Sequence, residues 1–116
     1  MKTELEERTK KFAVQVVRTV AVFPKSSEGQ ILGRQLLRAG TSIGANYREA
    51  NRAESKNDFV HKIGVAEKEA AETIYWLEIC QDTKLGAAQP IAELLNEAGQ
   101  LLAILVTIGR KAKTKS

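Results

Sequence analysis

Four arginines, Arg34, Arg38, Arg48 and Arg52, recur through the segment "GRQLLRAGTSIGANYREANRA". Guanidinium groups are the side chains best shaped to hold phosphates or carboxylates through paired N–H donors. The same segment holds Gly40 and Gly44, which raises the idea of a phosphate-cradling glycine loop. That loop needs four residues between its glycines, then Lys and Ser or Thr, after a strand. Here three residues separate the glycines, the segment has no lysine, and no strand pattern precedes it. A second group of candidates is acidic: Glu67, Glu69, Glu72 and Glu78, with Asp58 three residues before His61. Paired carboxylates can act as general acid and base or as metal ligands. A di-metal helical bundle, however, draws on two Glu-x-x-His units, and His61 is the single histidine. At most half of such a site is present. Cys80 has no histidine near it in sequence and lies by an apolar helical face, which describes an inert core thiol. Nucleophile, base and oxyanion donors do not assemble anywhere. The expectation is a non-enzyme without metal or cofactor, whose acids are solvated or paired. Glu69 and Glu72 are placed to meet Arg38 or Arg48 from a neighbouring helix or subunit.

The elements that carry these residues follow from apolar periodicity at about 100° per residue. In the first, Leu5, Phe12, Val16, Val20 and Phe23 share a face, and Pro24 ends it. Ser27 and Gln30 have capping-box spacing for a second start. Ser55 is the N-cap candidate for a third, with Asp58 in its first turn. Phe59, Ile63, Ala66, Ala70, Thr73, Ile74 and Leu77 line that third helix. "DTKLGAAQP" interrupts the pattern, and Pro90 suits a first helical position. Ile91, Leu94, Leu95, Ala98, Leu102 and Leu105 then share a face. No stretch alternates like a strand. Four helices with short connections predict an all-α, antiparallel up-down four-helix bundle.

Within this frame the arginine segment reads as one continuous helix over about residues 28–52. Leu32, Leu36, Ala39, Ile43, Tyr47 and Ala50 keep one face, and the four arginines form a narrow stripe opposite, with Thr41 and Ala45 between them. Phase is kept across both glycines, at a helical cost of about 1 kcal/mol each relative to alanine. Their spacing puts both on one flank, where another helix can approach closely. The competing reading ends a helix at Gly40 and caps a new one at Thr41 or Ser42. Asn46, at the margin of the apolar face, either bonds across helices or is wetted by solvent.

The chain has 116 residues, 43% hydrophobic and 28% charged, with two prolines and eight glycines. That suits a single globular domain over 1–116 with little loop. One cysteine excludes an internal disulfide and fits a reducing cytoplasm. The start "MKTELEERTKKF" is charged, unlike a signal peptide. Glu93, Asn96, Glu97 and Gln100 interrupt the most apolar stretch, so no membrane span is expected. The net charge of +4 permits a polyanionic partner without requiring one. Arg110, Lys111, Lys113 and Lys115 concentrate charge in a tail at about 110–116, read either as a frayed end or as a binding arm.

"LRAGTSIGANYREA", followed by "KEAAETIYWLEI", resembles the small bacterial proteins encoded in intervening sequences of large-subunit ribosomal RNA genes, and the related accessory proteins of diversity-generating retroelements. The resemblance runs over most of the chain. It implies a four-helix bundle that assembles into a ring-like homopentamer. Through the retroelement members it implies a basic surface for nucleic acid and a reverse transcriptase as partner. Tyr47 departs from the aliphatic residue expected after "GAN".

Val65, Tyr75, Trp76 and Ile79 lie off the main face of the third helix. Either a central helix buries two faces in its own bundle, or these residues meet another subunit. The resemblance favours the subunit contact, with Glu69 and Glu72 beside it. Two functions then compete. In the first, Arg34, Arg38, Arg48, Arg52, Arg110, Lys111, Lys113 and Lys115 contact RNA or DNA backbones. In the second, the oligomer is an adaptor for another protein, such as a reverse transcriptase or other polymerase.

Overall fold

Hydroxyl side chains open the first three helices. Thr3, Ser26 and Ser55 each accept a hydrogen bond from the backbone N–H three residues on, at 3.0, 3.1 and 3.0 Å. Each satisfies one of the donors that a helix start leaves without an intrahelical partner. The second start therefore lies one residue before the expected one: Ser26 is the cap and Ser27 is already helical. The computed structural model describes residues 3–114. Its elements are α1 (Glu4–Ala21), α2 (Ser27–Asn51), α3 (Lys56–Asp82) and α4 (Ala88–Thr114), with no strand among the described residues. Pro90 is the third residue of α4 rather than the first. It still falls in the opening turn, where its missing N–H has no intrahelical acceptor to lose.

The helices run up and down in chain order: α1 packs on α2, α2 on α3 and α3 on α4, with a slighter α1–α4 seam closing the bundle. Phe12 and Val16 of α1 meet Leu36, Ala39, Ile43, Tyr47 and Ala50 of α2 in a continuous core. From α3 come Ile63, Ala66, Ala70, Thr73, Leu77 and Cys80; from α4 come Ile91, Leu94, Ala98, Leu101 and Leu105. Leu101 thus belongs to the core, while Leu95 and Leu102, expected there, are half-buried at its margin. Phe23 closes one end over Gly86, whose φ of +82° suits glycine and where a Cβ would come within 2.7 Å of the Phe23 ring.

α2 passes through Gly40 and Gly44 without a break. Thr41 and Ser42, the alternative caps, instead donate back to the Leu37 and Arg38 carbonyls at 2.8 and 2.6 Å. The glycines lie against α1. A Cβ on Gly40 would stand 2.9 Å from Val16 Cγ2, and one on Gly44 would stand 2.8 Å from Thr9 Oγ1. Gly33 continues the edge, 3.0 Å from Val20 Cγ1 by the same measure. At the α1–α4 seam Arg8 reaches both carboxylate oxygens of Glu97, at 2.7 and 2.9 Å, and Gln100 at 2.8 Å. Glu97 holds the Arg8 guanidinium pKa above its ordinary value through this hydrogen bond.

By length and composition α4 is apolar enough to cross a bilayer, despite the polar residues that argued otherwise. In this fold its apolar face instead fills the core, and Glu97 is clasped by Arg8. Burial pushes the Cys80 thiol pKa up, which keeps the reactive thiolate scarce.

Gly44→Ala should destabilise the protein by about 1–3 kcal/mol in urea unfolding, despite alanine's better helix propensity, because the contact with Thr9 leaves no room. Gly64→Ala and Gly99→Ala, where an added Cβ meets nothing within 4 Å, should stabilise it by up to about 1 kcal/mol. Cys80 should react with a thiol reagent only as fast as the chain unfolds; rapid labelling of the native protein would contradict its buried position.

Candidate nucleic-acid interface

The unbroken α2 delivers its four arginines along one side, but their side chains part company. Arg38 and Arg48 lie at the two margins of the stripe, and each reaches the helix beside it. Arg38 turns to α3, with Nη1 3.5 Å from Glu69 Oε1 and Nη2 bonded to Glu72 Oε1. Arg48 turns to α1, with Nε 3.9 Å from Glu6 Oε1. Its Nη2 is buried without a hydrogen-bond partner among the described residues. Glu6 is itself buried, and its second oxygen accepts from Asn51 Nδ2 at 2.8 Å. Arg34 and Arg52 lie along the centre line of the stripe, about five helical turns apart. Both are exposed, with no ion pair to a described residue. Asn46 bonds within its own helix rather than across helices: its Nδ2 donates to the Ser42 carbonyl at 2.8 Å.

The candidate assembly residues on α3 occupy different environments. Tyr75 is 56% exposed, while Trp76 packs against the core. Their rings meet edge-on, centroids 5.1 Å apart. The Trp76 indole donates to Glu72 at 3.2 Å, so Arg38 and Trp76 share one carboxylate oxygen. Val65, Glu69, Glu72 and Ile79 are half-buried. The expected arginine–glutamate meeting therefore occurs between α2 and α3 of one chain.

At the far end, α4 stays helical through Thr114, so most of the basic tail is ordered helix rather than a frayed end. Arg110, Lys111 and Lys113 are exposed on its last turns. Positive side chains there complement the negative end of the helix dipole. Lys115 lies outside the described residues.

His61 is exposed and Asp58 half-buried. Among the described residues no three of His, Cys, Asp and Glu lie close enough to share a metal ion.

Sequence reasoning missed the Arg8–Glu97 clasp and the burial of Glu6, because first-turn acids and surface arginines carry no mark of long-range pairing. It also missed Val14 and Val17, which are 39% and 47% exposed on α1. Their spacing of three, off the face shared by Phe12 and Val16, was the available signal.

No curated protein matches the chain. A crystal structure of a protein of unknown function from the S23 ribosomal protein family of Bacteroides thetaiotaomicron superposes with a TM-score of 0.82 at 35% sequence identity. The match covers 89% of this chain and 95% of that one. The pattern of 23S rRNA-intervening sequence proteins matches residues 1–107. Fold and sequence pattern agree, and the chain belongs to the 23S rRNA-intervening sequence protein family.

Proposed function

We propose that the protein is a non-enzymatic, self-associating helical bundle that binds RNA and DNA through their backbones. The observation that carries this reading is how charge is shared out within the chain. Ion pairs inside the bundle engage Glu6, Glu49, Glu69, Glu72 and Glu97, and Arg38 alone engages two of them. Among the described residues these pairs draw on Arg8, Arg38, Arg48 and Lys62, and other cations face solvent. Arg34 and Arg52 on α2, with Arg110, Lys111 and Lys113 on α4, are among the exposed cations this leaves; Lys10, Lys11, Arg18, Lys25, Lys68 and Lys84 are exposed elsewhere on the surface. Phosphates are the natural counter-charge, with affinity dominated by counterion release and little base readout. Aromatic side chains do not interleave with these cations, which argues against single-strand stacking.

A cationic patch this small binds weakly in one copy. Self-association multiplies it, and exposed Val14, Val17 and Tyr75 offer apolar surface for that contact. A closed ring, pentameric by family resemblance, is the form proposed for it, since heterologous contacts that close end in rings. The same apolar surface favours the second reading, an oligomeric adaptor for another protein such as a reverse transcriptase.

A salt titration separates the two. Binding to RNA and DNA should be similar in strength and fall steeply with salt, and Arg34→Gln with Arg52→Gln should lower the salt slope by about 2. Arg38→Gln should leave that slope unchanged and lower stability by no more than about 1 kcal/mol, because the Arg38 pair is half-exposed. Salt-insensitive self-association without nucleic-acid affinity would favour the adaptor. Light scattering should return several times the 12.8 kDa chain mass; a monomer at micromolar concentration would remove the ring.

A further inference from the structure

At the end of the bundle where α3 begins and α4 finishes, Lys56, Phe59, Ile108, Lys111 and Ala112 enclose a cavity of about 390 Å³. Its lining is almost wholly carbon. Phe59 and Ile108 form the floor and pack against the core beneath. Lys56 is already engaged elsewhere and contributes its aliphatic stem to one wall. Lys111 is exposed on the other wall and makes no ion pair with a described residue. None of the lining residues is acidic. Arg110 and Lys113 flank it on α4.

We propose that this groove docks an acidic amphipathic helix of a partner protein. The lining comes from the first turn of α3 and the last turns of the antiparallel α4, which offers one turn of an amphipathic partner helix a place to lodge. Apolar anchors on one face of the incoming helix occupy the floor over Phe59 and Ile108. A carboxylate beside those anchors meets the Lys111 ammonium. Complementarity in charge and in polarity together selects this occupant. A nucleic-acid backbone would satisfy Lys111 and leave the apolar floor uncovered; a neutral apolar helix would cover the floor and leave the cation unmatched. Ile108, Lys111 and Ala112 lie beyond residue 107, where the family pattern ends. The proposal assigns Lys111 to the peptide and leaves the nucleic-acid reading above to Arg34 and Arg52 with Arg110 and Lys113.

The test uses the full chain and a fluorescein-labelled helical peptide of about 16 residues, with leucines at i, i+3, i+4 and i+7 and glutamates elsewhere. An isomer of equal composition with dispersed leucines is the control. In anisotropy titrations the patterned peptide should bind at least about tenfold more tightly than its isomer. Ala112→Trp, which fills the groove without changing charge, and Lys111→Glu should each weaken it about tenfold. Circular dichroism of both variants checks that the helices persist. With wild-type protein, a benzophenone at a leucine position should cross-link to the start of α3 or the end of α4. Equal binding of the two isomers, or cross-links elsewhere, would overturn the groove. An RNA oligonucleotide whose affinity drops with Ala112→Trp would assign the groove to nucleic acid and overturn it equally. Failure of wild-type protein to bind RNA at all would count against the nucleic-acid reading alone.

Discussion

Along one edge of α2, Gly33, Gly40 and Gly44 present backbone where other helices present side chains, and Val20, Val16 and Thr9 of α1 lie directly against it. Glycine in a helix interior sacrifices up to about 1 kcal/mol of propensity each time. The close approach returns packing contacts that a bulkier residue would forbid, since interiors are dense and unforgiving of added volume. Because α1 sits this near, Arg48 can reach Glu6 and Asn51 can donate to Glu6. The opposite edge of α2 lies against α3, which brings Arg38 to Glu69 and Glu72. The glycine edge thus sets the partner of Arg48, and the opposite edge sets the partners of Arg38.

Electrostatics follow packing here. Arg38 and Arg48 are long enough to bend from the stripe margins to acids on the adjoining helices, whereas Arg34 and Arg52 on the centre line make no ion pair with a described residue. The pairs are partly exposed, so each adds little to stability. Their larger effect is on the surface, where Glu6, Glu69 and Glu72 are occupied by Arg48 and Arg38. Glu72 shows the coupling most directly, since a single oxygen serves Arg38 from α2 and Trp76 from its own helix.

Much of this was legible in the residue order. Period-3.6 apolar spacing marked four helices, and "TSIGAN" marked the family. The phase kept from Leu32 to Ala50 identified α2 as one rod despite its glycines. The errors were local. Ser26 rather than Ser27 caps α2, since adjacent serines are indistinguishable until the turn geometry selects one. Leu101 rather than Leu102 enters the core, continuing the alternating four-and-three spacing of Leu94, Ala98 and Leu105. Asn46 turned to its own helix, an option always within reach of a short amide. The basic tail stayed helical to Thr114, where composition alone left order and fraying equally open.

The order of residues by itself determined the elements, their apolar faces and the side of α2 on which the arginines lie. Those are properties of a single helix and of a repeat that can be counted. Only the tertiary structure decided the fate of each charge: that Glu6 is buried, that Arg8 closes the α1–α4 seam through Glu97, and that Arg38 is paired while Arg34 is not. An ion pair depends on which two helices stand side by side and at what height. Residues 31 or 89 positions apart carry no local mark of that meeting.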